Sequence, residues 1–216
     1  MKFGKIEVII GCMFSGKTSE LIKLYQYYSI LEKKILLVNS KKDTRSVKNN
    51  ICSHDGSKLD CIQVKKLFDI TSYKEYLDAD IIMIEEAQFF SDLYSFVKMS
   101  NDCDKKHIIV AGLVADSSKK KFGQILDLIP IADDVKYLKA LCSVCSRHGV
   151  ETPAPFSKRI SDSSEQTFIG GKGEYIAVCG KHFDDIIVVK TIKPIKETKK
   201  QEDQHSEFMM WGGTWG

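Results

Sequence analysis

Between the β-branched run Lys5-Ile6-Glu7-Val8-Ile9-Ile10 and a stretch of helical periodicity lies Gly11-Cys12-Met13-Phe14-Ser15-Gly16-Lys17-Thr18, which matches G-x-x-x-x-G-K-[ST] at every fixed position. A strand, a glycine loop and a helix in that order restrict the chain to an α/β fold with a phosphate site. The two glycines let consecutive backbone N–H groups curl around phosphate oxygens, and the helix brings the positive end of its dipole to the same place. Lys17 supplies a mobile cation and Thr18 a hydroxyl for Mg²⁺. The helix is expected over 18–32, where Leu21, Leu24, Tyr25 and Tyr28 fall on one face.

The rest of the first half repeats the alternation. Apolar runs at 35–38, 80–84 and 107–111 read as strands buried on both faces, 61–64 as a shorter one, and 65–77 and 91–99 as helices; 39–50 is polar enough for a loop. Strands alternating with helices imply a mainly parallel sheet, whose ligands gather at the carboxyl ends of the strands. At those ends stand the phosphate loop, the pair Glu85-Glu86, and Gly112-Leu113. Neighbouring residues of a strand face opposite ways, so the two glutamates can serve different tasks: one approaches Mg²⁺, the other accepts a proton from an attacking hydroxyl.

After about Pro130 cysteines and glycines replace the alternation. The expected division is a phosphate-loop α/β domain over 1–138, a smaller zinc-binding unit over 139–192 and a polar tail over 193–216 that ends in an aromatic-rich segment. Cys142-x-x-Cys145 and Cys179-x-x-His182 offer three thiols and an imidazole in two tight pairs, a set that suits tetrahedral Zn²⁺ with no open position and hence a structural role. His148 is the alternative fourth ligand, but its offset does not complete the second pair. Seven cysteines, an odd number, argue against a disulfide framework. Cys12, Cys52, Cys61 and Cys103 are expected as free thiols.

Charge excludes less than it permits. With 32 basic against 29 acidic residues the chain has no strong pull towards nucleic acid, and Lys119-Lys120-Lys121 reads as solvated surface. No window approaches the length of a membrane span and no signal peptide is visible, which points to a cytoplasmic protein, in the host cytoplasm if the source is viral.

The loop with Met13-Phe14-Ser15, the segment Glu86-Ala87-Gln88-Phe89-Phe90, and the short strings Asp43-Thr44-Arg45 and Ser53-His54-Asp55 resemble the type II thymidine kinases of animals, bacteria and large DNA viruses, in order from about Lys5 to Phe183. The resemblance implies transfer of the ATP γ-phosphoryl group to the 5′-hydroxyl of thymidine or deoxyuridine. By position, Gly11 to Thr18 would bind ATP, with Lys17 on phosphate, Thr18 and Glu85 serving Mg²⁺, and Arg45 as an additional cation near the phosphates. Glu86 would be the general base. Met13, Phe89, Leu113 and Phe122 would line the base pocket. A lasso loop tied down by zinc would close over the nucleoside, with Ser157 and Tyr175 in contact and Ile176, Ala177 and Val178 beside it. The family also implies a homotetramer and feedback inhibition by thymidine triphosphate.

The chain departs from the family at three places. Glu85 stands where aspartate is usual, Val114 where aspartate is common, and Ser117 where an aromatic residue often stacks on the base, a contact worth about 1–3 kcal/mol. The nucleoside preference therefore stays open, as do two other readings of the residues. One is a P-loop ATPase or regulatory nucleotide-binding protein that uses its zinc unit for recognition; the other is a degenerate kinase kept for binding.

Overall fold

The computed structural model describes residues 4–43, 50–52, 58–160 and 174–185. In chain order the strands are β1 (Lys5–Gly11), β2 (Ile35–Ser40), β3 (Asn50–Cys52), β4 (Lys58–Asp60), β5 (Ile62–Val64), β6 (Ile81–Ile84), β7 (His107–Leu113), β8 (Asp134–Leu138), β9 (Ala140–Leu141), β10 (Pro153–Ala154), β11 (Phe156–Arg159) and β12 (Tyr175–Val178). The α-helices are α1 (Lys17–Ile30), α2 (Lys74–Asp78), α3 (Leu93–Asp102), α4 (Ser143–Ser146) and α5 (Gly180–Asp184).

Six strands form one parallel sheet in the order β5-β2-β6-β7-β1-β8. Its apolar residues divide by parity, as a period of two requires. Ile6, Val8, Ile10, Leu36, Val38, Ile82, Ile84, Ile108 and Val110 face Phe96, Val97 and Leu93 of α3. Ile9, Leu37, Ile81, Met83, Ile109 and Ala111 face Leu21 and Ile22 of α1. A sheet covered on both sides explains why its strands read as continuous apolar runs.

Several boundaries differ from the sequence expectation. The helix expected over 65–77 is instead a 3-10 turn at Leu67–Ile70 followed by the short α2. The Thr71 hydroxyl donates back to the Phe68 carbonyl at 2.9 Å, and the Phe68 N–H donates to Asp92 at 3.1 Å, so local polar bonds replace the continuous ladder. Asn39 and Ser40, expected in a loop, complete the buried end of β2. The outermost strand β8 carries little apolar signal, because it is an edge with Val135 and Tyr137 exposed; pairing with β1 defines it.

One residue breaks the apolar pattern of β1. Glu7 is buried and its Oε1 accepts from Lys5 Nζ at 2.7 Å, lies 2.8 Å from His107 Nε2 on β7, and is 3.4 Å from the Tyr28 hydroxyl on α1. The hydrogen bond with His107, helped by Lys5 and opposed by burial, pulls its carboxyl from the ordinary 4.5 to about 2. A carboxyl depressed by folding stabilises the fold above its unfolded value, and that stability is lost as pH falls from 4.5 towards 2. Glu7→Gln should cost about 3 kcal/mol in urea unfolding at pH 7 and about half of that at pH 3. An equal cost at both pH values would show that Glu7 acts by shape alone.

Candidate functional site

The phosphate loop follows β1 directly. A side chain at position 11 would sit 2.4 Å from the Leu138 carbonyl and 2.5 Å from Ser15 Oγ, so β8 and the loop leave room only for Gly11. Gly16 is required for a different reason. Its φ of 85° lies in the left-handed region and starts α1. Phe14 also has positive φ, at 65°. Ser15 Oγ and Lys17 Nζ both donate to the Cys12 carbonyl, at 2.9 and 2.7 Å, which holds the ammonium of a buried lysine over the loop.

The Cys12 side chain points the other way, donating from Sγ to the Ala154 carbonyl at 3.1 Å, and burial pushes its thiol pKa up. The Met13 N–H donates to Ser157 Oγ at 2.8 Å. The loop is thus stitched to β10 and β11, a connection that cysteine spacing did not foreshadow. Cys12, Cys61 and Cys103 are free thiols, in line with expectation.

At the end of β6 the two glutamates diverge. Glu85 keeps the strand's parity towards α1, where Thr18 Oγ1 donates to its Oε1 in a short hydrogen bond. A hydroxyl on a buried carboxylate is a donor set that suits a hard divalent cation such as Mg²⁺. Glu86 leaves the strand with φ 50° and ψ 42°, a left-handed conformation that costs a non-glycine residue about 1–2 kcal/mol. Its Oε2 accepts from Gln88 Nε2.

Gln88 is the residue that sequence reasoning quoted without a task. It is buried, its Oε1 accepts the Leu113 N–H at 3.0 Å, and it occupies a slot walled by two glycines. A Cβ at Gly112 would meet Gln88 Oε1 at 2.6 Å, and one at Gly123 would meet the Gln88 carbonyl at 2.3 Å. Both amide ends are thereby engaged, one on Glu86 and one on β7. The only sequence signal was a polar residue beside Phe89-Phe90 in an otherwise buried turn.

Of the expected base-pocket residues, Phe89 and Phe122 meet edge to face at 5.6 Å, and Leu113 is joined to them through Gln88. Met13 is tied to Ser157. Tyr175 is buried, and its hydroxyl accepts from Arg159 Nη2 at 2.7 Å and Nε at 3.0 Å. Ile176, Ala177 and Val178 pack with Cys12, Cys142 and Cys179 in one apolar cluster. Ser157 and Tyr175 belong to an antiparallel pair, β11 with β12, in which Ser157 is opposite Ala177. Asp43 is buried and accepts from Asn39 Nδ2 at 3.3 Å. Arg45, the Ser53-His54-Asp55 string, the glycines at 170–173 and the tail at 193–216 lie outside the described residues.

Both ligand pairs of the cluster are built alike. Cys142 precedes α4 and Cys145 lies within it; Cys179 precedes α5 and His182 lies within it. A residue at a helix start and one three places on share a face. The four ligand atoms all lie within 4.8 Å of one another, and His182 Nδ1 is 3.5, 3.4 and 3.3 Å from the sulfurs of Cys142, Cys145 and Cys179. An ideal zinc tetrahedron has sulfur–nitrogen edges of about 3.6 Å, so the set fits Zn²⁺ without rearrangement. Burial opposes ionisation of Cys142, but backbone N–H donors from Cys145 and Cys179 and the His182 contact outweigh it and lower the thiol pKa to about 6, while that of Cys145 is raised beside the other two thiols. His148 is not part of the group.

A backbone cradle for phosphates, faced by carboxylates that answer to different neighbours at the next loaded strand end, places the chain among the P-loop nucleotide-binding enzymes. Comparison narrows the class. A family model described as thymidine kinase matches residues 4–183. The chain is 36% identical over 208 residues to a rice thymidine kinase, spanning 94% of this chain and 75% of the relative. With a sheeppox virus thymidine kinase it shares 39% over 181 residues, 84% of this chain and 97% of the relative. With the human cytosolic thymidine kinase it shares 36% over 176 residues, 82% and 71% respectively. The chain belongs to the thymidine kinase family.

Proposed function

We propose that this kinase transfers the γ-phosphoryl group of Mg·ATP to the 5′-hydroxyl of thymidine, with deoxyuridine as a second acceptor. The observation that carries the reading is the divergence of Glu85 and Glu86 at one strand end beside the phosphate loop, in a chain of the thymidine kinase family. A buried carboxylate held in place by Gln88 suits a general base for a hydroxyl, and the family match supports a nucleoside rather than water as the acceptor.

Bound Mg·ATP supplies the electrophilic phosphorus and part of the charge neutralisation. The backbone of Gly11, Cys12, Met13, Phe14, Ser15 and Gly16 would cradle phosphate, and Lys17 would exchange the Cys12 carbonyl for phosphate oxygens. Thr18 and Glu85 would hold the Mg²⁺, and Arg45 would add a cation. Glu86 would take the 5′-hydroxyl proton as that oxygen bonds to the γ-phosphorus and the bond from phosphorus to the β,γ-bridging oxygen breaks, releasing ADP. Met13, Phe89, Leu113 and Phe122 would enclose the base, and Ser157, Tyr175, Ile176, Ala177 and Val178 would form the wall beside it. Ser157 and Tyr175 already have intramolecular partners, so their part is to shape that wall or to exchange those partners on binding.

The proposed division is 1–138 for the nucleotide domain, 139–192 for the zinc unit and 193–216 for the tail, in a cytoplasmic enzyme. Among the described residues no helix is long and apolar enough to cross a membrane, and the chicken and human relatives are named cytosolic. We also propose a homotetramer. Exposed Tyr27, Ile30 and Leu31 at the end of α1, and Val135 and Tyr137 on edge strand β8, support self-association.

Incubation with Mg·ATP and a panel of thymidine, deoxyuridine, deoxycytidine and deoxyguanosine tests the reading. Thymidine 5′-monophosphate should be the main product. Phosphate release with no nucleoside monophosphate would establish an ATPase instead, and nucleotide binding without turnover a binding protein.

A further inference from the structure

Lys119 was expected on the solvated surface, and it is 37% exposed there while its ammonium rests on two aromatic rings. Its Nζ lies 3.8 Å from the centre of the Phe183 ring and 4.5 Å from that of Phe156, and the two rings are themselves 5.5 Å apart. Phe183 follows the metal-ligating position His182 in α5, and Phe156 opens β11 beside Ser157. One cation from the loop after β7 therefore caps two aromatic rings of the zinc module.

The loop is shaped to deliver that cation. Ala115 and Lys121 bridge its stem, and the buried Asp116 accepts the N–H groups of Ser118 at 2.8 Å and Lys120 at 2.9 Å. Lys119 itself has φ 61°, in the left-handed region, and its N–H donates to the Asp116 carbonyl at 3.2 Å. The foot of the loop is equally constrained, with Phe122 on Phe89 and Gly123 pressed against Gln88. Gln88 in turn holds Glu86. Contacts thus run without a gap from the helix that carries His182, through Phe183 and Lys119, to the turn that carries Glu86.

We propose that Lys119 is a positioning residue that latches the 115–121 loop to the zinc module, so that the module's seating sets nucleoside affinity. The proposal rests on the thymidine kinase reading for its kinetic consequence, but not for the latch itself. The rings rather than a salt bridge carry the attraction. Among the described residues the carboxylate that pairs with it, Asp184 Oδ1, is 3.8 Å away on a side chain 80% exposed, where an ion pair adds little.

Losing a cation–ring contact of this kind corresponds to about a three- to tenfold change in an equilibrium constant. In the full-length zinc-loaded protein, Lys119→Met should raise KM for thymidine about three- to tenfold, with kcat and KM for ATP within about twofold of wild type. Zinc release to a chromogenic chelator should accelerate by a similar factor. Lys119→Arg should restore both quantities, since a guanidinium also stacks on rings, and Asp184→Asn should leave both unchanged. Phe183→Leu should shift both quantities in the same direction, and Lys119→Met should have a smaller effect in the Phe183→Leu background than in the wild type. Wild-type values for both thymidine KM and zinc release in Lys119→Met, or additive effects in the double variant, would overturn the latch. Should the wild type phosphorylate no nucleoside, the functional reading fails, and the zinc-release comparison still decides the latch.

Discussion

Glu86→Gln should reduce kcat for nucleoside phosphorylation by about 10²- to 10⁴-fold and leave the affinity for Mg·ATP within about twofold of wild type. The substitution keeps size and hydrogen-bonding shape. The new amide carbonyl can still accept from Gln88 Nε2, and the left-handed backbone at position 86 places the same demand on glutamine as on glutamate. What disappears is the capacity to take a proton. On the proposed reading ATP is bound by the loop after β1, Lys17 and the Thr18–Glu85 pair, whereas Glu86 accepts a hydrogen bond from Gln88. Isothermal titration for ATP with steady-state assays for both substrates separates the two effects. Transfer at a rate within about tenfold of wild type would remove Glu86 from the role of base. Glu85→Gln should behave differently, raising the Mg²⁺ concentration needed for half-maximal rate, because the Thr18 hydroxyl would then face a neutral amide.

The second large effect concerns the metal. Cys179→Ser removes one of the four candidate ligands, whose atoms all lie within 4.8 Å of one another. Loss of a structural metal belongs to the severe class of changes, of order 4 kcal/mol or more, and in a chain of this length that corresponds to a fall in Tm of roughly 10 °C. The damage should not stay within the module. Cys179 packs with Cys12 of the phosphate loop in one apolar cluster, and Ser157 and Ala154 bind that loop's Met13 N–H and Cys12 thiol. Metal analysis should show less than one zinc per chain, and differential scanning fluorimetry the lowered Tm. The affinity for ATP should fall together with that for nucleoside. A variant that holds no zinc yet unfolds at the wild-type temperature would show that the cluster is not a structural site.

Part of this site was legible as plain text. The phosphate loop, the glutamate pair and the two x-x ligand pairs are each local, with every residue within a turn or a strand end of its partner. The structure keeps each of them together. The parallel sheet was legible for a related reason, since strands buried on both faces announce themselves as apolar runs. Edge strand β8 did not, because half its surface is solvent and its identity comes from hydrogen bonds to β1. The helix expected over 65–77 is broken at Tyr73, whose extended backbone (ψ 143°) separates the 3-10 turn from α2.

Chain order alone supplied the candidate groups: a phosphate-loop motif, two carboxylates at one strand end, and a thiol–imidazole tetrad. Folding assigned the partners. Gln88 became the support of Glu86, Cys12 and Ser157 became stitches between the phosphate loop and the zinc module, and Lys119 moved from a basic run to a seat on two rings. The reason is geometric. A motif fixes the residues that lie within a few bonds of one another, whereas the supports are joined only when the chain folds: the Leu113 N–H that holds Gln88 is 25 positions on, Lys119 is 37 and 64 positions from Phe156 and Phe183, and the Cys12–Ala154 bond spans 142 positions.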